Sequence, residues 1–225
     1  MSKIYYLMGK SSTGKDTIYK ELRKRMPQLK NVTIYTTRPR REGEKEGEEY
    51  FFTDETELEK FKTEDRLIEE RAYNTVYGIW HYFTADDGQF NFEQKNQDYL
   101  MIGTLESYEK LKTYFGNEKV VPLYIEVEDG ERLTRALARE KTQKEPKYAE
   151  MCRRFLADSK DFSEENLAHA GITERYENTN LEDVLEKICK KIVKIPGKLR
   201  AACIGYFCNS FFCCIVNRQE KCLSF

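Results

Sequence analysis

The chain has 225 residues, enough for one domain of ordinary size with a sizeable core. Charged residues make up 34 %, yet the net charge is only −1, which argues against a global basic field for nucleic acid. No apolar run reaches the roughly 18–20 residues of a membrane-spanning helix. Of seven cysteines, only Cys152 and Cys189 precede residue 200, both in helical patterns, which is reduced, cytoplasmic usage.

In chain order, Ile4 to Met8 reads as a buried strand, with no signal peptide before it. Ile18 to Arg25 reads as a helix. Val32 to Tyr35 is a second strand candidate. Residues 37–49 read as a polar loop, and Tyr50 to Phe52 as a short strand. Asp54 and Glu57 resemble a capping box for a helix running through Phe61. Leu67 to Ala72 and Thr75 to Phe83 read as strands or a hairpin, and Tyr99 to Ile102 as a buried strand. Leu105 to Phe115 is a helix stopped by Gly116. Val120 to Val127 is nearly continuous in apolar residues, as in a parallel sheet. Residues 130–141 and 147–166 are helical, and a last helix runs from Asn180 to about Ile195. This alternation predicts a three-layer α/β fold with a parallel core sheet.

The segment Gly9-Lys10-Ser11-Ser12-Thr13-Gly14-Lys15-Asp16-Thr17 lies between the first strand and the first helix. Gly9, Gly14 and Lys15 have the G-x-x-x-x-G-K spacing of a phosphate-binding P-loop. Two glycines let the backbone curl so that successive N–H groups face one phosphate. The following helix aims its positive end at the same point, and Lys15 adds a charge for the β- and γ-phosphates. Asp16 stands where the pattern expects Ser or Thr. Either Thr17 touches the magnesium shell, or nucleotide oxygens and water hold the metal. Asp16 alone reads equally as a carboxylate favouring the helix start.

A second constellation comprises Thr36, Thr37, Arg38, Arg40 and Arg41, then Gly43, Gly47 and Tyr50. Guanidinium forks grip phosphate oxygens in pairs, and a tyrosine hydroxyl adds a neutral donor. Beside a P-loop this suits a second phosphate. The plain alternative is a solvated loop, because Glu42, Glu44, Glu46, Glu48 and Glu49 surround the arginines. Arg135 and Arg139 lie four apart on one helix face, which suits either closure on a phosphoryl group or a solvated surface. The isolated His81 and His169 read as structural or surface residues, and Cys152 as helix packing.

Over residues 3–195 the chain resembles the guanylate kinase family of nucleoside monophosphate kinases. The carriers are GKSSTGKDT, TTRPRREGEKEGEEYFF, Leu67-Ile68-Glu69 with Tyr77-Gly78, and Arg135 to Arg139 with Arg154. The resemblance implies a P-loop kinase fold transferring phosphoryl from ATP to GMP with Mg²⁺. ATP would bind at Gly9, Ser11, Ser12, Thr13, Gly14, Lys15, Asp16 and Thr17. Arg38, Arg41, Tyr50 and Tyr77 fall on acceptor-phosphate positions, Glu69 on the guanine-reading carboxylate, and Arg135, Arg139 and Arg154 on lid arginines. The implied core is residues 1–32 and 96–196, with a monophosphate-binding subdomain over 33–95 and a helical lid near 135–155. Small-molecule nucleotides are the expected partners of a monomer or dimer.

Two family features are missing. Where the family has Asp residues in an I-L-D-I-D strand, this chain reads Leu100-Met101-Ile102-Gly103-Thr104, and the base-reading serine before T-T-R is replaced. That leaves open a kinase for another nucleotide or phosphorylated acceptor, or a catalytically silent interaction module. After the break at Pro196-Gly197, residues 197–225 form a Cys/Phe-rich tail. It reads as a membrane-touching or acylated segment, an extra packed segment, or an appendage without a role in activity.

Overall fold

The computed structural model describes residues 2–75, 78–93 and 97–194. Strand β1, Ile4–Met8, is buried at every residue. Such a strand needs sheet partners on both edges and a layer on each face. Its partners are β7, Asp98–Gly103, and β8, Val120–Glu126, both parallel. Outside them lie β2, Leu29–Asn31, and β9, Arg175–Glu177, giving the order β2-β7-β1-β8-β9.

Side chains alternate across β1 and divide the core into two layers. Tyr5 and Leu7 pack with Ile18 and Leu22 of α1, Lys15–Arg25, and with Val184, Leu185 and Ile188 of α7, Leu181–Lys194. Ile4, Tyr6 and Met8 pack on the opposite face with Leu105, Tyr108 and Leu111 of α3, Leu105–Phe115. The fold is a three-layer α/β fold around a parallel sheet. The site lies at the carboxyl end of β1, where the chain leaves the sheet.

A second sheet has the order β4-β3-β6-β5. It consists of β3, Tyr35–Thr36, β4, Phe51–Phe52, β5, Leu67–Thr75, and β6, Gly78–Ala85. Helix α2, Glu55–Thr63, covers it with Leu58 and Phe61 against Phe83 and Ala85. Asp54 caps α2 by accepting from Glu57 N. Two further helices, α4, Asp129–Lys141, and α5, Tyr148–Asp161, follow β8.

The single strand expected over Val32 to Tyr35 is instead the crossing between two sheets. Val32 still bonds Leu100 O, and the chain then enters β3. Two short strands, β2 and β3, blur into one apolar pattern. The helix expected over 147–166 is two, because Ser163 caps a separate α6, Glu164–His169. Cys152 is exposed on α5 rather than packed. The tail, residues 197–225, and Tyr77 lie outside the described residues.

Candidate active site

The loop between β1 and α1 is fixed at several points. Gly14 is the N-cap of α1 with φ 84°, a conformation that favours glycine. A Cβ at Gly14 would meet Asn178 Nδ2 at 2.6 Å, and one at Gly9 would meet the Ile125 carbonyl oxygen at 2.5 Å. Asn178 Nδ2 itself donates to Thr13 O at 2.7 Å, and Thr13 Oγ1 to Lys10 O at 2.9 Å. Both glycines therefore sit where backbone and side chains already fill the space. Ser12 has φ 65°, and its Oγ is buried with no hydrogen-bond partner. A buried hydroxyl without a partner is costly, and a ligand oxygen would satisfy it.

Arg132, at the start of α4, ties this loop to the helices over it. Its side chain is 1 % exposed. It donates to Ser11 O at 3.1 Å and Asp158 Oδ2 at 3.3 Å, pairs with Asp129, and lies 4.7 Å from the Phe155 ring centre. Asp158 also accepts from Ser11 N at 2.7 Å. Sequence reasoning missed Arg132 and Asp158. Arg132 precedes Arg135 by one helical turn, which is the signal that was available.

A cleft of about 630 Å³ opens beside the loop, with Ser11, Ser12, Arg41, Arg139, Lys147 and Arg154 in its lining. Arg41 comes from the second sheet's loop, Arg139 from α4 and Arg154 from α5, so three separate segments bring cations to one space. Arg154 is paired with Glu150 at 2.8 Å. Arg153 and Arg154 together hold the Glu150 carboxyl down at about 2. Arg135 lies apart from this lining, donating to Glu131 at 2.9 Å and to Asn178 O at 3.2 Å.

Arg38 is buried and already engaged. It binds Glu44 through both Nη atoms at 2.6 and 2.8 Å, and donates through Nε to Tyr82 Oη at 3.2 Å. Its guanidinium carbon lies 5.1 Å from the centre of the half-buried Tyr50 ring. Arg38 hydrogen bonding, with burial opposing it, holds the Glu44 carboxyl below its usual range. Glu69 is 4 % exposed and paired with Arg71, which is 6 % exposed. Ile102 and Thr104 stand where the family pattern has Asp, and the space at Gly103 between them is taken by Tyr6: a Cβ there would lie 1.9 Å from Tyr6 Oη.

Lys15, Asp16 and Thr17 form the first turn of α1, with Asp16 and Thr17 exposed. Among the described residues, no group of three or more His, Cys, Asp or Glu side chains forms a metal site. The donors present fit Mg²⁺ carried mainly by nucleotide oxygens and water, with one protein hydroxyl at most.

The profile of the guanylate kinase family matches residues 1–195. Guanylate kinase of Thermobifida fusca is 42 % identical over 67 residues, covering 30 % of this chain and 34 % of that protein. The match to guanylate kinase of Gloeobacter violaceus likewise spans 38 % of that protein, at 41 % identity and 35 % of this chain. The chain thus spans little more than a third of these two curated relatives. Guanylate kinase of Coxiella burnetii aligns over 86 % of this chain and 98 % of its own length at 25 % identity. The crystal structure of guanylate kinase from Anaplasma phagocytophilum shares the fold, with a TM-score of 0.57 at 19 % identity over 85 % of this chain and 84 % of that one. The chain belongs to the guanylate kinase family.

Proposed function

We propose that the chain is a nucleoside monophosphate kinase converting ATP and GMP to ADP and GDP. One observation carries this reading: a P-loop with an orphaned buried hydroxyl opens onto a cleft lined by arginines from three segments. Phosphoryl transfer needs positioning and charge neutralisation rather than a covalent intermediate. Lys15 and the loop N–H groups hold the donor phosphates. Arg41, with Arg38, Tyr50 and Tyr77, holds the acceptor phosphate. Arg139 and Arg154 meet the charge that builds up between them, and Arg135 braces α4 against Asn178. Magnesium, when bound with the nucleotide, neutralises the phosphate oxygens; Thr17 is the side chain that would reach its shell.

In this proposal, residues 33–95 bind the monophosphate, residues near 135–155 close as a lid, and residues 1–32 and 96–196 form the core. In this reading the enzyme works in the cytoplasm, which the sparse cysteines of the first 200 residues support. The engaged state of Arg38 gives a second role to Glu44, which keeps the guanidinium paired until phosphate replaces or joins it.

The test is ADP release with Mg²⁺–ATP and a panel of GMP, AMP, CMP and UMP. GMP is expected to turn over fastest. Faster turnover of AMP or a pyrimidine monophosphate would overturn the choice of base, and no turnover of any would overturn the kinase reading.

A further inference from the structure

Glu69 and Arg71 stand two residues apart on β5 and share one face of the second sheet. Arg71 donates to both carboxylate oxygens, Nε to Oε2 at 3.0 Å and Nη2 to Oε1 at 3.2 Å. Thr84, opposite Glu69 on β6, donates to Oε1 at 2.8 Å. Three donors therefore already fall on Glu69, and little acceptor capacity remains. The guanidinium is in the opposite position. Beyond Glu69, its remaining N–H groups reach neutral hydroxyls among the described residues, Thr104 Oγ1 at 3.4 Å and that of Tyr73. The two positions where the family pattern has Asp hold Ile102 and Thr104, so no carboxylate there restores the balance. This corner has hydrogen-bond donors in surplus. It also adjoins the proposed phosphate grip: Tyr82, opposite Arg71 in register, takes the Arg38 Nε.

Resting on the kinase reading above, we propose that Arg71 is a specificity-determining residue that donates to O6 of the acceptor base, so that the substrates are 6-oxopurine monophosphates. Guanine and hypoxanthine both present O6, with N7 beside it, as paired acceptors that suit a guanidinium fork. Adenine puts its N6 amino donor where O6 would lie, which sets donor against donor and leaves both unpaired. The 2-amino group of guanine meets only the residual acceptor of Glu69. Hypoxanthine, which lacks that amino group, loses little.

The test measures kcat/KM and equilibrium binding of GMP, IMP, AMP and 6-thio-GMP. In the wild type, IMP should fall within about 30-fold of GMP and AMP at least about 100-fold below it, with 6-thio-GMP weakened because sulfur is the poorer acceptor. The variant pair is Arg71→Lys, which keeps the charge but not the fork, and Glu69→Gln with Arg71→Met, which removes both buried charges together. Each should lower the GMP-to-AMP ratio at least about tenfold and narrow the gap between GMP and 6-thio-GMP, with the KM for ATP unchanged. If the double variant does not fold, Arg71→Lys carries the test alone. An equal loss for all four monophosphates makes Arg71 structural and overturns the proposal. So does an IMP value more than about 30-fold below GMP, because the 2-amino group is then what is read. If the wild type turns over none of the four, the kinase reading falls, and binding selectivity among them decides the base reading separately.

Discussion

A side chain at position 14 would need space that Asn178 occupies, in a backbone conformation with φ 84°. Gly14→Ala should cost about 1–3 kcal/mol, from local strain and from displacing the Asn178 bond to Thr13 O. Urea denaturation measures it, and a loss below about 0.5 kcal/mol would show that the loop relaxes freely. Lys15 is a different case. It opens α1 without forming an ion pair in the described structure, so its charge is available to a ligand. Lys15→Ala should lower turnover by about 10²–10³ with little change in stability. A variant retaining more than about a third of wild-type turnover would remove Lys15 from the mechanism. The two substitutions thus separate a residue that shapes the loop from one that acts through it.

Helices α4 and α5 share one buried cation with the P-loop, beside the direct bond from Ser11 N to Asp158 and the Lys10–Asp129 pair. Arg132 bonds Ser11 O, Asp129 and Asp158 at once and covers the Phe155 ring. Arg132→Ala should destabilise the protein by roughly 2–4 kcal/mol, because it leaves the largely buried Asp158 without its cation and empties the space over Phe155, while Lys10 still pairs Asp129. A shift in the denaturation midpoint much smaller than this would mean that the Ser11–Asp158 and Lys10–Asp129 contacts suffice to hold α4 and α5 on the loop. The outer turn of α5 responds to pH instead. The folded Glu150 carboxyl sits at about 2, held mainly by its hydrogen bond to Arg153 and then by Arg154, against a usual value of 4.5. A depressed carboxyl stabilises the fold above the unfolded value, and that contribution disappears as pH falls through the folded one. The melting temperature of wild type should therefore exceed that of Glu150→Gln by a constant amount above about pH 5, with the gap closing toward pH 2. A gap that persists at pH 2 would assign the effect to packing rather than ionisation. Glu150 is 36 % exposed, so solvent screening keeps the gap small.

At the scale of the whole molecule, the chain's local signals and its long-range contacts carry different information. The P-loop, α1 and α3 are readable because glycine spacing, the apolar period of each helix and Gly116 termination act within a few residues. The strand order β2-β7-β1-β8-β9 is not, since β9 is three residues long and its place is set by long-range contacts, its pairing with β8 and the packing of Tyr176 against α7. The same limit applies to the site. The spacing of Arg38 and Arg41 is visible in the chain, but that Glu44 holds one and leaves the other exposed depends on how the loop folds back. Arg71 gives no local signal, because its role is set by Thr84 across the hairpin and Thr104 beyond β7. Composition does mark one boundary at this scale, the break at Pro196-Gly197. The buried apolar residues of the described structure run from Ile4 to Ile192, and the family profile ends at 195. A chain ending at residue 196 should therefore keep its melting temperature within ~2 °C of the full length, less than about 1 kcal/mol for a protein of this size, and keep its turnover. Thermal denaturation of the two forms side by side measures this. A drop of many degrees, or aggregation of the shorter form alone, would show that residues 197–225 cover part of the core.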